Sequence, residues 1–315
     1  MLTRRQIRVK VMQALYAYHN GNDQPLKEGT QFIHASCHNM FTLYCTMLTL
    51  FKALWEYGLE QQNIQSTRLK LERGVNPDDQ RFLAIEPLQL IAKHPLLEKK
   101  IAELKITVWD IEFEFIKTLY QALIQSEPFQ HLKSIEHPSF DDQKKWLSQS
   151  FKQLIAPNER LHNYIEDLNI QWIDDLPVVN TYLLKQLRKL RAEDLSSLNF
   201  PALHEKEVDI AFGQSLYEAV IANDTHLNAE FEGKTPNWDP DRIAIMDRLL
   251  IKIALAELIH FPDIPPKVTL NEYLEIAKEY STPKSNQFIN GILDKLVKEY
   301  AQTNRLQKKG RGLLE

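Results

Sequence analysis

The sequence contains little glycine and almost no cysteine. Its 315 residues include 9 glycines and 15 prolines, while long segments are rich in Leu, Ile, Lys, Glu and Gln. So few turn residues disfavour a fold of many hairpins, and the sequence has no glycine-rich phosphate loop. The two cysteines, Cys37 and Cys45, are too few for a disulfide framework. We therefore predict an all-α protein.

Long apolar runs are also missing. The longest apolar stretch, residues 249–258, is interrupted by Lys252 and Glu257, and it is shorter than the roughly 18 residues that a membrane span requires. This stretch therefore predicts a core helix. The sequence shows no pattern of a secretion signal either, so we expect a cytoplasmic protein.

Acidic residues are absent from the start of the chain. The net charge is only −4, yet Asp23 is the first acid and the residues before it include Arg4, Arg5, Arg8 and Lys10. With no acid nearby in sequence, we expect the three arginines to keep their full charge for a polyanion. The ordinary alternative is a solvated helix face.

Helical periodicity and breaks divide the chain. The first helix is predicted from Thr3 to about His19, followed by a long helical region over about 31–191 and another helix over about 204–222. The predicted breaks in the long region lie at Asn76-Pro77, Glu127-Pro128, His137-Pro138, Ala156-Pro157 and Leu176-Pro177.

The carboxy-terminal part shows clear helix starts. Asp239 followed by Pro240 predicts an N-cap, and Thr269 with Glu272 three residues later predicts a capping box. The last helix is predicted to begin near Thr282. A basic tail over 301–315, with two glycines, is predicted to be disordered.

The stretch SNQFINGILDKL, residues 285–296, predicts an amphipathic helix that contains a glycine. Gly291 falls away from the centre of the apolar face, where glycine costs about 1 kcal/mol relative to alanine. Close approach of another helix is the preferred explanation, and proximity of a ligand is the alternative.

Three segments carry more specific motifs. IKIALAELIHFPDIPPKVTLNEYLEIAKEYSTPKSNQFINGILDKL, residues 251–296, contains an Ile-Ala-x-x-Glu-Leu helix, a Pro-x-Lys-Val turn, and the runs Asn-Glu and Asn-Gly-x-Leu-Asp-Lys at fixed spacing. RRQIRVKVMQALYAYHNG is an arginine-rich opening helix, and EVDIAFGQSLYEAVI is a middle helix. Together they resemble the NusB family of bacterial transcription antitermination factors.

The resemblance implies a fold and a domain organisation. NusB proteins are all-α, with helices arranged as two perpendicular bundles. Residues of about 25–200 have no counterpart in the family, so the resemblance implies a large helical insertion. The predicted parts are the first helix (1–24), the insertion (25–200), the remainder of the NusB-like domain (201–300) and the tail (301–315).

The resemblance also implies a function without catalysis or cofactor. NusB proteins bind single-stranded boxA RNA together with NusE, a ribosomal small-subunit protein, in an antitermination complex with RNA polymerase that supports rRNA transcription and ribosome assembly. Such RNA requires cationic groups for phosphates and aromatic faces for unstacked bases. The RNA-binding residues that the resemblance implies are Arg4, Arg5, Arg8, Tyr16, Lys284, Asn286 and Phe288.

Several points in the resemblance stay open. Phe288 has the helical spacing of a core aromatic as well as the position of a stacking residue. Asp247 and Arg248 lie on the helix that the family uses against NusE, but they would otherwise be plain surface charges. Gln6 and Lys284 differ in charge from some relatives, so the RNA preference could differ.

Two other functions compete with antitermination. One is the RNA-binding part of an RNA methyltransferase, since NusB-like domains also occur fused to such enzymes, although this chain has no glycine-rich cofactor loop. The other is a protein-interaction scaffold in which the insertion is the working surface.

One stretch, HASCH, resembles a metal site. On a helix, His34, Cys37 and His38 share a face, and such ligands suit zinc. Cys45 lies about 16 Å from His34 along the axis of the same helix, which is too far to complete the site. We therefore expect no metal.

Overall fold

The computed structural model describes residues 2–21, 26–68, 76–201, 207–232 and 243–313. Within these ranges the secondary structure is helical and no strand forms, which confirms the all-α prediction. No helix in these ranges has the length and apolar character needed to cross a bilayer.

The helices are numbered in chain order. They are α1 (Arg4–Asn20), α2 (Leu26–Arg68), α3 (Pro77–Leu83), α4 (Glu86–Ala92), α5 (Pro95–Leu104), α6 (Val108–Ile111), α7 (Phe113–Gln125), α8 (Glu127–Ser134), α9 (Phe140–Ser150), α10 (Glu159–Leu168), α11 (Trp172–Lys189), α12 (Glu207–Ala222), α13 (Asp224–Glu232), α14 (Ile245–His260), α15 (Pro266–Tyr280) and α16 (Ser285–Gln302). A π-helical turn, Phe151–Ile155, continues α9.

The chain divides into two compact units. The continuous unit is His38–Ala202, and the split unit combines Leu2–Cys37 with Leu203–Glu315. The first part of α2 therefore belongs to the split unit, whereas the sequence-based division places everything after residue 24 in the insertion.

The split unit is built around α14, and the prediction of a core helix there is confirmed. Residues 249–258 are all buried, and α14 packs against α1, α12, α15 and α16. Gly213 of α12 lies against α1, because a Cβ at this position would be 2.5 Å from Ile7 Cγ2. The stripe of Ile7, Val11 and Leu15 is buried, as the periodicity of α1 predicts.

An aromatic cluster forms part of the core of the continuous unit. Phe82 lies edge-on to Tyr120 and to Trp146, with ring centroids 4.7 Å and 5.9 Å apart. The Tyr120 hydroxyl donates to the buried Asp79 carboxylate at 2.6 Å. Burial and this hydrogen bond raise the pKa of Tyr120, so the phenol stays protonated and satisfies Asp79.

Most predicted breaks in the long helical region are confirmed. Asn76, Ser126 and Asn158 are N-caps whose side chains accept backbone hydrogen bonds. The break at Leu176-Pro177 is wrong, because Pro177 lies inside α11. An interior proline removes one backbone hydrogen bond and crowds the preceding turn, at a cost of about 3 kcal/mol. The burial of Leu176 and Val179 on either side of Pro177 offsets this cost.

The predicted capping box at Thr269 is also wrong. Helix α15 begins one turn earlier, at Pro266, where a fixed φ suits the first helical turn. The Thr269 hydroxyl instead donates to Glu257 at 2.7 Å. The predicted N-cap at Asp239 lies outside the described residues.

The tail is ordered through residue 313, so the prediction of disorder is wrong there. Arg305 pairs with Glu230 at 2.7 Å. The Lys309 amide donates to the Pro262 carbonyl at 3.0 Å, and residues Gly310–Leu313 form a 3-10 turn. These contacts hold the basic residues against the split unit.

Candidate nucleic-acid interface

The amino-terminal arginines begin α1, which is fixed in the split unit by its apolar stripe. Thr3 is the N-cap, in a capping box with Gln6. Because the stripe faces the core, Arg4, Arg5 and Arg8 project toward three neighbouring helices of the same unit. Each arginine meets a different environment.

Arg8 is buried in an ion pair with Glu257 of α14. Its Nε and Nη2 donate to the Glu257 carboxylate at 2.7 Å and 2.8 Å, and the side chains are only 3% and 0% exposed. Thr269 and Tyr273 also donate to this carboxylate, at 2.7 Å and 3.0 Å. Burial opposes the charge on Arg8, but Glu257 outweighs it and raises the pKa of Arg8. The carboxylate is therefore fully satisfied.

Arg5 pairs with Glu272 of α15 at the surface. Its Nε and Nη2 each donate to one carboxylate oxygen at 2.9 Å, and 39% of the Arg5 side chain is exposed. The hydrogen bonds that Arg5 donates to Glu272 are the main reason that the pKa of Arg5 is raised. Exposed pairs of this kind contribute about 0–1 kcal/mol, so the guanidinium can turn toward another anion at little cost.

Arg4 is the most exposed of the three. Its Nε lies 3.0 Å from Asp209 of α12, and 47% of its side chain is exposed. The guanidinium also lies over the Phe212 ring, 4.9 Å from the centroid. The aromatic face and the carboxylate hold Arg4 at the surface, where most of its donors remain accessible.

The expectation that these arginines have no acid nearby is therefore wrong. The acids come from α12, α14 and α15, more than 200 positions away in sequence. Arg8 lies in the core and does not reach a surface phosphate, whereas Arg4 and Arg5 remain at the surface. Sequence reasoning missed Glu257 as the partner, although a lone acid in an apolar run signals a buried charge that requires one.

The start of α16 places the second group of predicted RNA-binding residues. Lys284 is its exposed N-cap residue. Asn286 donates to the Leu274 carbonyl of α15 at 2.9 Å, and Phe288 is half-buried. Asn286 and Arg5 thus both hydrogen-bond to α15. Their acceptors, Leu274 and Glu272, are two positions apart on that helix.

Gly291 lies on the exposed side of α16. A Cβ at this position would have no atom within 4 Å among the described residues. Close helix packing is therefore wrong as the reason for this glycine, and the ligand-proximal interpretation stays a prediction.

Tyr16 does not lie with the arginines. It is 43% exposed, but twelve residues separate it from Arg4, or about 18 Å along the helix axis. Any RNA that meets both residues must follow α1 for most of its length.

The predicted partner residues differ from each other in exposure. Asp247 is buried and accepts hydrogen bonds from Ser281 and Ser285, so the description of Asp247 as a surface charge is wrong. This carboxylate connects α14 to the start of α16. Arg248 is half-buried beside a cavity that is also lined by His19, Asp224 and Lys252.

Metal ligation has no support in the described ranges. No three His, Cys, Asp or Glu side chains come together there in a geometry that could hold an ion. Cys37 and Cys45 are both buried as free thiols, and burial raises the pKa of Cys45 to about 12.

Comparison with known proteins supports the family resemblance over part of the chain. Residues 179–298 match the family described as the NusB family. This range begins within α11 and ends within α16, so it includes Lys284, Asn286 and Phe288 but not α1. No solved structure gives a significant match.

Three similar proteins are each named Transcription antitermination protein NusB. The one from Chloroherpeton thalassium is 43% identical over 100 residues, which cover 32% of this chain and 47% of that protein. The one from Salinibacter ruber is 39% identical over 103 residues, 33% of this chain and 64% of that protein. The one from Clostridium kluyveri is 38% identical over 94 residues, 30% of this chain and 60% of that protein. The chain thus spans about half to two thirds of these relatives.

Proposed function

Because residues 179–298 of this chain form a NusB-family domain, we propose that the protein is a transcription antitermination factor that binds boxA-type single-stranded RNA with NusE. The family match is the observation that carries this proposal. The proposed role is assembly of a complex with RNA polymerase during rRNA transcription, without a chemical step.

The surface chemistry of the split unit supports RNA as the ligand. A guanidinium has five N–H donors, and Arg5 commits two of them to Glu272. The remaining donors can bind a phosphate, and the weak exposed pair with Glu272 lets the guanidinium turn toward it at little cost. Arg4 is held in a similar way by Asp209 and Phe212.

The start of α16 supplies the second part of the proposed interface. Lys284 is exposed at the amino end of this helix, where the helix dipole favours an anion. The open surface beside Gly291 leaves room for an RNA backbone to approach α16. We keep Arg4, Arg5, Lys284, Asn286, Phe288 and Tyr16 as proposed RNA-binding residues, and we exclude Arg8.

The partner proposal for NusE now centres on Arg248. Asp247 is occupied by Ser281 and Ser285, so its replacement would disturb the fold as well as any interface. Arg248→Glu alone is the cleaner variant, because the side chain is half-buried at the edge of α14.

An electrophoretic shift with a boxA-like RNA, with and without NusE, tests the proposed function. We expect a shifted complex that NusE strengthens and that a scrambled RNA of the same composition does not form. A protein that binds neither RNA nor NusE would contradict the proposal. Binding of NusE without RNA would favour a protein-interaction scaffold.

A further inference from the structure

The continuous unit contains a cationic groove between two of its helices. The groove has a volume of about 320 Å³ and lies between α9, the π-helical turn that continues it, and α11. Its charged lining comprises Lys144, Lys145, Lys152, Arg188 and a single acid, Asp141. Four cations against one carboxylate give the groove a strong positive potential.

The helical repeat explains why these residues share one face. Lys144, Ser148 and Lys152 recur every four residues, so they lie along one side of a helix. The π-helical turn is marked by the hydrogen bond from the Ala156 amide to the Phe151 carbonyl, 2.8 Å and five residues back. π-Helical turns are rare and are frequently found at functional sites. Arg188 reaches the same groove from α11.

The acids near the groove are already engaged. Asp141 pairs with Lys144 at 2.5 Å, and Lys144 also donates to the Leu190 carbonyl at 3.3 Å. The Asp142 carboxylate, next to Asp141 in sequence, accepts from the Ser139 amide and hydroxyl in the N-terminal capping box of α9. Lys145, Lys152 and Arg188 therefore form no ion pair within the part of the chain that the structure describes.

A buried hydroxyl provides an independent sign of a ligand. Ser148 lines the groove and is only 6% exposed, yet its Oγ forms no hydrogen bond with any described residue. A buried polar group without a partner costs about 1–3 kcal/mol. An anion bound among the cations would accept a hydrogen bond from this hydroxyl.

We propose that this groove binds a phosphate group, carried either by an RNA backbone or by a small phosphorylated molecule. Lys145, Lys152 and Arg188 neutralise the charge of the phosphate, and the Ser148 hydroxyl donates to one of its oxygens. Most of this site lies outside the NusB-family match, because all of the groove residues except Arg188 precede residue 179.

The test compares two triple variants of the full chain. The groove variant is Lys145→Ala/Lys152→Ala/Arg188→Ala. The matched control, Lys99→Ala/Lys117→Ala/Arg160→Ala, removes two lysines and one arginine from exposed ion pairs elsewhere in the same unit. Equal melting temperatures would show that all three proteins are folded.

Two probes distinguish the sources of the phosphate. Calorimetric titration with inorganic phosphate measures binding of a small phosphate. Anisotropy of a labelled single-stranded RNA measures binding of phosphates in an RNA backbone. We expect the groove variant to bind at least one probe about tenfold more weakly at low salt. If RNA is the source, the slope of log affinity against log salt should also fall by about 0.7, the contribution of one neutralised phosphate. The affinity of the control variant for each probe should stay within twofold of that of wild type.

Ser148→Ala adds an uncharged test. Because the hydroxyl forms no hydrogen bond with any described residue, its removal should leave the melting temperature unchanged or higher while it lowers affinity for the same probe several-fold. Equal binding of both probes by wild type, groove variant and control would overturn the proposal. An Arg4→Ala/Arg5→Ala variant would retain phosphate binding in the groove, so a failure of the boxA proposal remains distinguishable.

Discussion

Arg8 and Glu257 show how strongly a buried charge depends on its partner. The pair is almost fully shielded from solvent, and the remaining lone pairs of Glu257 accept from Thr269 and Tyr273. Removal of Arg8 would leave Glu257 buried without its ion-pair partner, and removal of Glu257 would leave Arg8 with only the longer contact to Glu272, at 3.8 Å. This pair therefore contributes to the stability and the specificity of the split unit, and not to ligand binding.

We predict that Arg8→Ala destabilises the protein by about 3–5 kcal/mol, the usual cost of a broken buried pair. Chemical denaturation monitored by circular dichroism measures the change. The double variant Arg8→Met/Glu257→Gln should recover much of the loss, because no charge remains and the amide oxygen still accepts from Tyr273. A cost below about 1 kcal/mol for Arg8→Ala would show that the pair is not closed in solution.

The residue types at this site could be predicted from the sequence, but their pairing could not. The local sequence gives no reason to distinguish Arg8 from Arg4 and Arg5. Only the packing of α14 against α1 buries Arg8 and leaves the other two at the surface. The position of Glu257 in an apolar stretch is informative, since an acid between apolar residues predicts a buried charge with a partner. Nothing local identifies that partner, which lies 249 positions away.

At the scale of the helices, two glycines of the split unit have opposite environments. Gly213 lies where α12 meets α1, and an added Cβ would be 2.5 Å from Ile7 Cγ2. Gly291 lies on open surface of α16. Periodicity placed Gly291 correctly away from the apolar face, but it could not show that no other helix covers this position.

We predict opposite effects of alanine at these two positions. Gly213→Ala should destabilise by about 1–3 kcal/mol through overpacking against α1. Gly291→Ala should stabilise by up to about 1 kcal/mol, because alanine has the higher helix propensity. Thermal melting of the two variants tests both expectations, and destabilisation by Gly291→Ala would mean that the surface of α16 is covered in solution.

If RNA approaches α16 at this open surface, bulk at Gly291 should affect binding without affecting the fold. Gly291→Gln should then weaken boxA binding several-fold, measured by anisotropy, while the melting temperature stays at or above that of wild type. Unchanged RNA affinity would leave helix α16 outside the interface near this residue.

At the scale of the whole chain, the boundary between the units falls inside α2. Ile33 is buried in the split unit, and Gln214 donates to the Thr30 carbonyl at 3.2 Å. A Cβ at Gly29 would be 2.1 Å from Tyr217 Cζ. No change of composition marks Cys37 as a boundary, so the sequence could not show that α2 is shared by the two units.

We predict that deletion of residues 38–202, with the ends joined by a flexible linker, leaves a folded helical protein. Loop closure depends only weakly on length, and the contacts of Gly29, Thr30 and Ile33 are retained. Deletion of residues 26–202 is the matched control and should be markedly less stable, since it removes those contacts. Loss of a cooperative melting transition in the shorter deletion would contradict the division into units.

The salt dependence of RNA binding tests the central claim most directly. Anisotropy of a boxA-like RNA over a salt series should show that Arg4→Ala/Arg5→Ala weakens binding and flattens the slope of log affinity against log salt by about 1.4, or about 0.7 per phosphate contact. Lys278→Ala/Lys298→Ala, which removes two other exposed, ion-paired cations of the split unit, should leave that slope unchanged. Equal slopes for the arginine variant and wild type would contradict the account.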